Sequence, residues 1–319
     1  MNTNKISVNY LYLPEQDNEG IRPLWSVIIP TYNCAHYLKE TLQSVLQQDL
    51  GPEKMQILVV DDCSTKDNPE AVVKEVGKGR VEFIRQSQNV GKVKNYETGL
   101  LKSKGHLIHL LHGDDRVLNG FYKEMVEVFE KSSVAMAAFC RSVYIDEIGR
   151  WKGMTGMIQD QEGIVENLEG KLYVEQRIQT PSMVVKREVY EILGTFDRRL
   201  DCMEDWEMWV RIANHYPIAV SNKVLAMYRT HSKNATNETF ADGSALSVHE
   251  KVFDIIDRYI KPQIRKKYYK YRNKKQAEFL LLSFKERIGV LAFSEKAAFI
   301  KRILKLDCSL KTLIRLLKN

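Results

Sequence analysis

From Ser26 to Leu111 the chain repeats one pattern: a short continuous apolar run, a polar turn, then a segment whose apolar residues recur every three or four positions. The run Ser26-Val-Ile-Ile-Pro30 precedes Leu38, Leu42, Val45 and Leu46, which share one helical face. Residues 56–60 read as a second strand, Asn68-Pro69 as the cap and first-turn pair of a helix over 69–76, and 81–85 as a third strand. A helix over 92–102 and a strand over 107–111 follow. Strands this apolar, alternating with amphipathic helices, require a parallel sheet covered on both faces, with right-handed crossovers. The pattern therefore predicts an α/β, doubly wound, mainly parallel sheet in the first half.

In such sheets ligands bind beyond the carboxyl ends of the strands. Thr31, Tyr32 and Asn33 follow the first strand, Asp61, Asp62 and Ser64 the second, and His112, Gly113, Asp114 and Asp115 the fourth. All three clusters fall on one edge. Four aspartates gathered there repel one another and gain proton affinity unless a cation or hydrogen-bond donors compensate. Neither GxGxxG nor GxxxxGK[ST] is present, so a classical dinucleotide fold or P-loop is disfavoured. A divalent metal, Mn²⁺ or Mg²⁺, bridging carboxylate and diphosphate oxygens is the remaining way to hold phosphates.

The segments Ser26-Val-Ile-Ile-Pro-Thr-Tyr-Asn33, Val59-Val-Asp-Asp-Cys-Ser64, Asn89-Val-Gly91 with Asn95, Leu111-His-Gly-Asp-Asp115 and Glu204-Asp-Trp-Glu-Met-Trp209 stand in one order. Together they resemble the family 2 glycosyltransferases of the GT-A fold, over residues 25–230. The resemblance implies a nucleotide-binding set of Pro30, Thr31, Tyr32, Asn33, Asp61, Asp62, Asn89, Gly91, Asn95 and Asp114. It places Asp114 and Asp115 at the DxD-type metal site, with His112 where the commonest form has Asp, as a ligand or a lining residue. Glu97 stands where many members carry Asn. Asp205 is expected as the general base, with Glu204 beside it. Both open a helix whose buried face carries Trp206, Trp209, Val210 and Ala213, and its dipole should keep the carboxylate ionised. Arg229 and His231 are expected to touch metal or diphosphate as a loop over 230–244 closes. Thr180, Ser182 and Trp206 are candidates for the sugar or acceptor pocket. Single displacement with inversion is also what the resemblance implies. A nucleotide sugar, UDP-linked, is the expected donor, and a saccharide or lipid-linked saccharide of surface polysaccharide assembly the expected acceptor. A catalytically silent scaffold of the same fold is the alternative.

The composition, 44% hydrophobic and 28% charged, is that of a water-soluble globular protein. Five scattered cysteines without a CxxC suggest neither a disulfide framework nor a zinc knuckle. The start lacks the features of a secretory signal and no run is long enough to span a bilayer, so a cytoplasmic location is expected. The NxT sequences at Asn234 and Asn237 then read as loop composition. Residues 258–319 hold 18 Lys or Arg against 4 Asp or Glu, a charge of +14, which leaves −7 for the rest because the whole chain is +7. Such a split points to an appendage that meets a polyanion. Nucleic acid is disfavoured by the acidic body. An anionic membrane surface, or a helical subdomain with a solvated charged face, are the two readings kept. The expected organisation is an N-terminal extension over 1–24, a GT-A domain over 25–245 with a nucleotide half 25–116 and an acceptor half 117–245, and a basic helical region over 246–319.

Overall fold

The computed structural model describes residues 9–15, 22–231, 239, 244–289 and 292–317. The N-terminal series runs β1 (Trp25–Thr31), α1 (Ala35–Leu46), β2 (Met55–Asp61), α2 (Pro69–Gly77), β3 (Glu82–Arg85), α3 (Lys92–Lys102) and β4 (Leu107–Leu110). Every residue of β1, β2 and β4 is buried, as strands covered on both faces must be. Asn68 caps α2, accepting from the Ala71 amide with Pro69 at the first helical position.

The chain continues through β5 (Arg116–Val117), α4 (Phe121–Lys131), β6 (Ala137–Ile145), β7 (Trp151–Met154), β8 (Gly163–Ile164), α5 (Leu168–Val174), β9 (Met183–Lys186), α6 (Arg187–Ile192), α7 (Glu204–His215) and β10 (Ile218–Arg229). The main path of the sheet is β3-β2-β1-β4-β9-β6-β10-β5. The first four strands are parallel, whereas β9 runs antiparallel to β4 and β6 on either side of it. The doubly wound pattern thus governs the N-terminal half. β9 then joins a second set of strands in which β6 and β10 are again parallel.

Of the described residues, those up to Glu166 and Arg177–His231 form one compact unit, and Asn167–Gln176 with those beyond His231 form another. The first is built on one large cluster in which Trp25 meets Tyr122 edge-on, ring centroids 5.0 Å apart, among Val27, Leu38, Val59 and Phe121. Residues 9–15 run along the segment before α7: Leu13 donates to the Tyr190 carbonyl and the Leu11 carbonyl accepts from Thr195. In the second unit the helix Pro262–Arg287 packs Ala277, Leu280, Leu281 and Phe284 with Ile303 of the helix Phe293–Leu306. There Arg272 bonds Asp257 and Tyr173, with Phe253 beneath its guanidinium at 4.7 Å.

Gly105 sets how closely the turn before β4 approaches β1. Its amide donates to Ser26 Oγ at 2.8 Å, and a Cβ there would lie 2.4 Å from the Ser26 nitrogen and from the Trp25 carbonyl carbon. Backbone cannot yield as a side-chain tip can. Gly105→Ala is therefore expected to cost about 1–3 kcal/mol, measured by denaturant unfolding, while Gly156→Ala, which meets nothing within 4 Å, stays near wild type.

Candidate functional site

The parallel register aligns the carboxyl ends of β1, β2 and β4, pairing Thr31 with Asp61 and Ile28 with Leu110. The turns beyond those ends are bound to one another. The Asp62 amide donates to the Thr31 carbonyl at 2.9 Å, and the Gly113 amide to the Pro30 carbonyl at 3.0 Å. Asn33, in the left-handed region at φ +51°, accepts from the Thr65 and Lys66 amides at 2.9 Å each. Thr41 of α1 donates to the carbonyls of Gly113 and Asp115, pinning the third turn from beneath. A side chain at Gly113 would crowd Thr31, Cys34 and the Pro30 carbonyl, so only glycine lets this turn sit so close.

On this frame His112, Asp114 and Asp115 each offer a ligand atom within 4.8 Å of the others. Asp115 is 1% exposed. Its Oδ1 accepts from the Arg229 amide at 2.8 Å, whereas Oδ2 has no hydrogen-bond donor, His112 Nδ1 standing 3.6 Å away. Burial and the neighbouring Asp114 push the Asp115 carboxyl up to about 6. Asp114 goes the other way: burial would raise it, but His231 Nε2 at 2.9 Å and His112 hold it below the usual carboxylate range. His112 is opposed by burial and raised overall by Asp115 and Asp114. Two hard oxygens and an imidazole nitrogen around a buried carboxylate oxygen without a donor fit Mn²⁺ or Mg²⁺. Asp114 and Asp115 would hold it, with His112 and His231 supplying nitrogen.

The opening of α7 brings a second acidic pair. Glu204 is buried, with Lys92 Nζ 2.8 Å from Oε2 and the Tyr96 hydroxyl 3.5 Å from Oε1. Asp205 accepts from Thr180 Oγ1 at 3.0 Å and from the Trp206 amide at 2.7 Å. Burial and Glu204 outweigh Lys92, Thr180 and the amide, so its pKa lies above the ordinary value. The Tyr96 hydroxyl lies 3.0 Å from His112 Nε2 and 3.5 Å from Glu204 Oε1, so the two acidic groups meet at one side chain.

The remaining predicted residues fall into three groups. Asp62 accepts from the Val90 and Gly91 amides at 2.7 and 3.1 Å, so the Asn89-Val-Gly91 segment reaches the edge through its backbone, while Asn89 itself is exposed. Tyr32 is 47% exposed at that edge. Asp61 is fully buried, held by Ser64 and by Arg85 Nη1 at 2.7 Å, and Asn95 is bonded to the Val60 carbonyl and to Gln86. Ser182 is bonded to the Gln179 carbonyl, and Trp206 is 1% exposed. Arg229 corrects the expectation of a phosphate contact. Its guanidinium is fully buried against Tyr37, bound by Glu40 and by the carbonyls of Asp114, Asp146 and Glu147, so it anchors the acidic turn from inside. Of the loop expected to close over the donor, 232–238 and 240–243, with the asparagines of both NxT sequences, lie outside the described residues. The sequence alone singles out neither Tyr96, Thr41, Tyr37 nor Arg85; for Lys92 it offers a solvated helix position or a phosphate contact, and the structure pairs it with Glu204. Lys92 and Tyr96, four apart at the start of α3, carried the one available signal, since that spacing puts them on one helix face.

An α/β sheet whose carboxyl edge gathers a DxD-type turn and a helix-opening acidic pair is the arrangement of a GT-A glycosyltransferase. The family model described as glycosyl transferase family 2 matches residues 26–193, more than half of the chain, and the chain belongs to that family. It is 25% identical over 218 residues to an uncharacterised glycosyltransferase of Rickettsia typhi, covering 67% of this chain and 66% of that protein. An uncharacterised glycosyltransferase of Methanocaldococcus jannaschii is 26% identical over 217 residues, covering 67% and 73%. Among solved structures, Staphylococcus aureus TarS 1–349 in complex with UDP-GlcNAc superposes with a TM-score of 0.65 at 18% identity, covering 88% of this chain and 80% of that one. The mannosyltransferase PcManGT of Pyrobaculum calidifontis, in complex with GDP-Man and Mn²⁺, gives 0.59 at 17% identity, covering 92% and 83%.

The raised Asp115 carboxyl has a defined sign. Its folded-state pKa of about 6 lies above the ordinary 3.8, so the metal-free fold loses stability from this group as pH rises from about 4 to about 6. By differential scanning fluorimetry, Asp115→Asn should therefore raise the metal-free Tm at pH 7.5, and added Mn²⁺ should raise the Tm of the wild type and not that of the variant.

Proposed function

We propose that the protein is an inverting, metal-dependent hexosyltransferase. It moves a sugar from a UDP-linked donor to a saccharide or lipid-linked saccharide acceptor in the assembly of a surface polysaccharide such as capsule, O-antigen or exopolysaccharide. The observation that carries this reading is the convergence of His112, Asp114 and Asp115 within 4.8 Å around a buried carboxylate oxygen that no donor satisfies. A divalent cation there supplies positive charge against the departing nucleotide diphosphate. The Asp61, Asp62 and Tyr32 edge receives the nucleoside.

Asp205 is the general base. Thr180 and the Trp206 amide orient its carboxylate, and burial and Glu204 raise its proton affinity, which strengthens it as a base. The acceptor hydroxyl loses its proton to Asp205 as its oxygen bonds to the sugar C1 and the bond from C1 to the diphosphate oxygen breaks. One displacement inverts the anomeric centre. Residues 25–116 serve the nucleotide and 117–245 the acceptor; in chain order an N-terminal extension, 1–24, precedes them and the basic helical region, 246–319, follows.

The protein works at the cytoplasmic face of a membrane, with an anionic lipid surface as the partner of 258–319. No described helix is long and apolar enough to cross a membrane. The helix Pro262–Arg287 instead buries Ile264, Arg272, Gln276 and Ala277 and exposes Lys266, Lys267, Lys270 and Lys274 with Tyr271. Lysines near an anionic surface gain about 1 kcal/mol each.

Two measurements check this reading. Asp205→Asn should retain Mn²⁺-dependent UDP binding by calorimetry and lose about 10²–10⁴-fold in transfer rate with the productive sugar nucleotide, identified from a panel. Unchanged turnover would move the base elsewhere. Replacing Lys266, Lys270 and Lys274 together by Glu should abolish flotation with anionic liposomes and leave soluble-acceptor transfer unaltered.

A further inference from the structure

Resting on the metal reading above, we propose that Tyr96 is a positioning residue that couples Glu204, at the start of α7, to His112 beside the acidic turn. Tyr96 is 4% exposed and its hydroxyl lies 3.0 Å from His112 Nε2 and 3.5 Å from Glu204 Oε1. Its ring stacks on the imidazole at 5.6 Å with 22° between planes, and Phe196 closes the other side edge-on at 5.5 Å. One helical turn earlier, Lys92 Nζ stands 2.8 Å from the other Glu204 oxygen. Both oxygens of Glu204 therefore face the same side of α3.

The hydroxyl has one hydrogen and can still accept. Given to the Glu204 carboxylate, that hydrogen leaves the Tyr96 oxygen to accept from His112 Nε2–H. The imidazole is then fixed in the tautomer whose Nδ1 bears the lone pair, and Nδ1 is the nitrogen that faces Asp115 Oδ2 at 3.6 Å. A phenol keeps its hydrogen near neutral pH, so the hydrogen is present to be donated. Glu204 thereby sets the orientation and basicity of a ligand it does not touch. The same hydroxyl makes the acidic turn after β4 and the opening of α7 answer to each other.

The test is a double-mutant cycle on Mn²⁺ affinity, read from the electron paramagnetic resonance of free Mn²⁺, with no substrate present. Tyr96→Phe keeps the ring and is expected to weaken Mn²⁺ binding about 10-fold or more. Glu204→Gln is expected to weaken it roughly 3-fold through the hydroxyl alone, with no further loss when added to Tyr96→Phe. Effects that multiply in the double variant, or Glu204→Gln with wild-type affinity, would overturn the coupling and leave the metal reading intact. A wild type that binds no Mn²⁺ overturns both. If Tyr96→Phe fails to fold, the Glu204→Gln measurement decides together with nitrogen-15 spectra of the metal-free wild type above pH 8. There His112 should carry its proton on Nε2, and an Nδ1–H tautomer rejects the proposal.

Discussion

A carboxylate oxygen taken out of water and left without a donor is unfavourable, and Oδ2 of Asp115 is held in that state from several sides. Its turn is pinned by Thr41 beneath, its Oδ1 is bound by the Arg229 amide, and Arg229 is itself buried by Glu40, Tyr37 and three carbonyls. The fold spends several hydrogen bonds to keep Oδ2 facing Asp114 and His112. Local unfavourable electrostatics of this kind persist when the surrounding structure over-determines them, and they cluster at functional sites.

The neighbouring groups follow from that constraint. Asp114 escapes the repulsion by pairing with His231 at the end of β10, so the acidic turn is linked to the last strand of the sheet unit. The second acidic pair is solved differently: Glu204 pairs with Lys92, while Asp205 accepts from a threonine hydroxyl and a helix amide. Two adjacent carboxylates thus meet unequal environments, which is how proton-transfer and structural roles separate within a pair.

Much of this was legible in the residues. The strand and helix series through β4 follows from apolar runs and helical spacing. The three carboxyl-edge clusters could be placed together before any coordinates, because parallel strands must end on one side. Periodicity does not reveal strand direction, so the antiparallel β9 was not foreseen. The grouping of α5 with the C-terminal helices was equally hidden, since it depends on contacts distant in sequence such as Tyr173 with Asp257 and Arg272. Arg229 was read as a phosphate ligand because its charge is visible in sequence and its burial is not.

The most direct test of the account is where a metal settles when the protein meets its nucleotide. Crystals grown with Mn²⁺ and UDP, measured near the manganese absorption edge, should show one anomalous peak bonded to the carboxylates of the Asp114–Asp115 turn and to the UDP diphosphate. A diphosphate bound elsewhere on the sheet, or a peak away from that turn, would contradict the central claim.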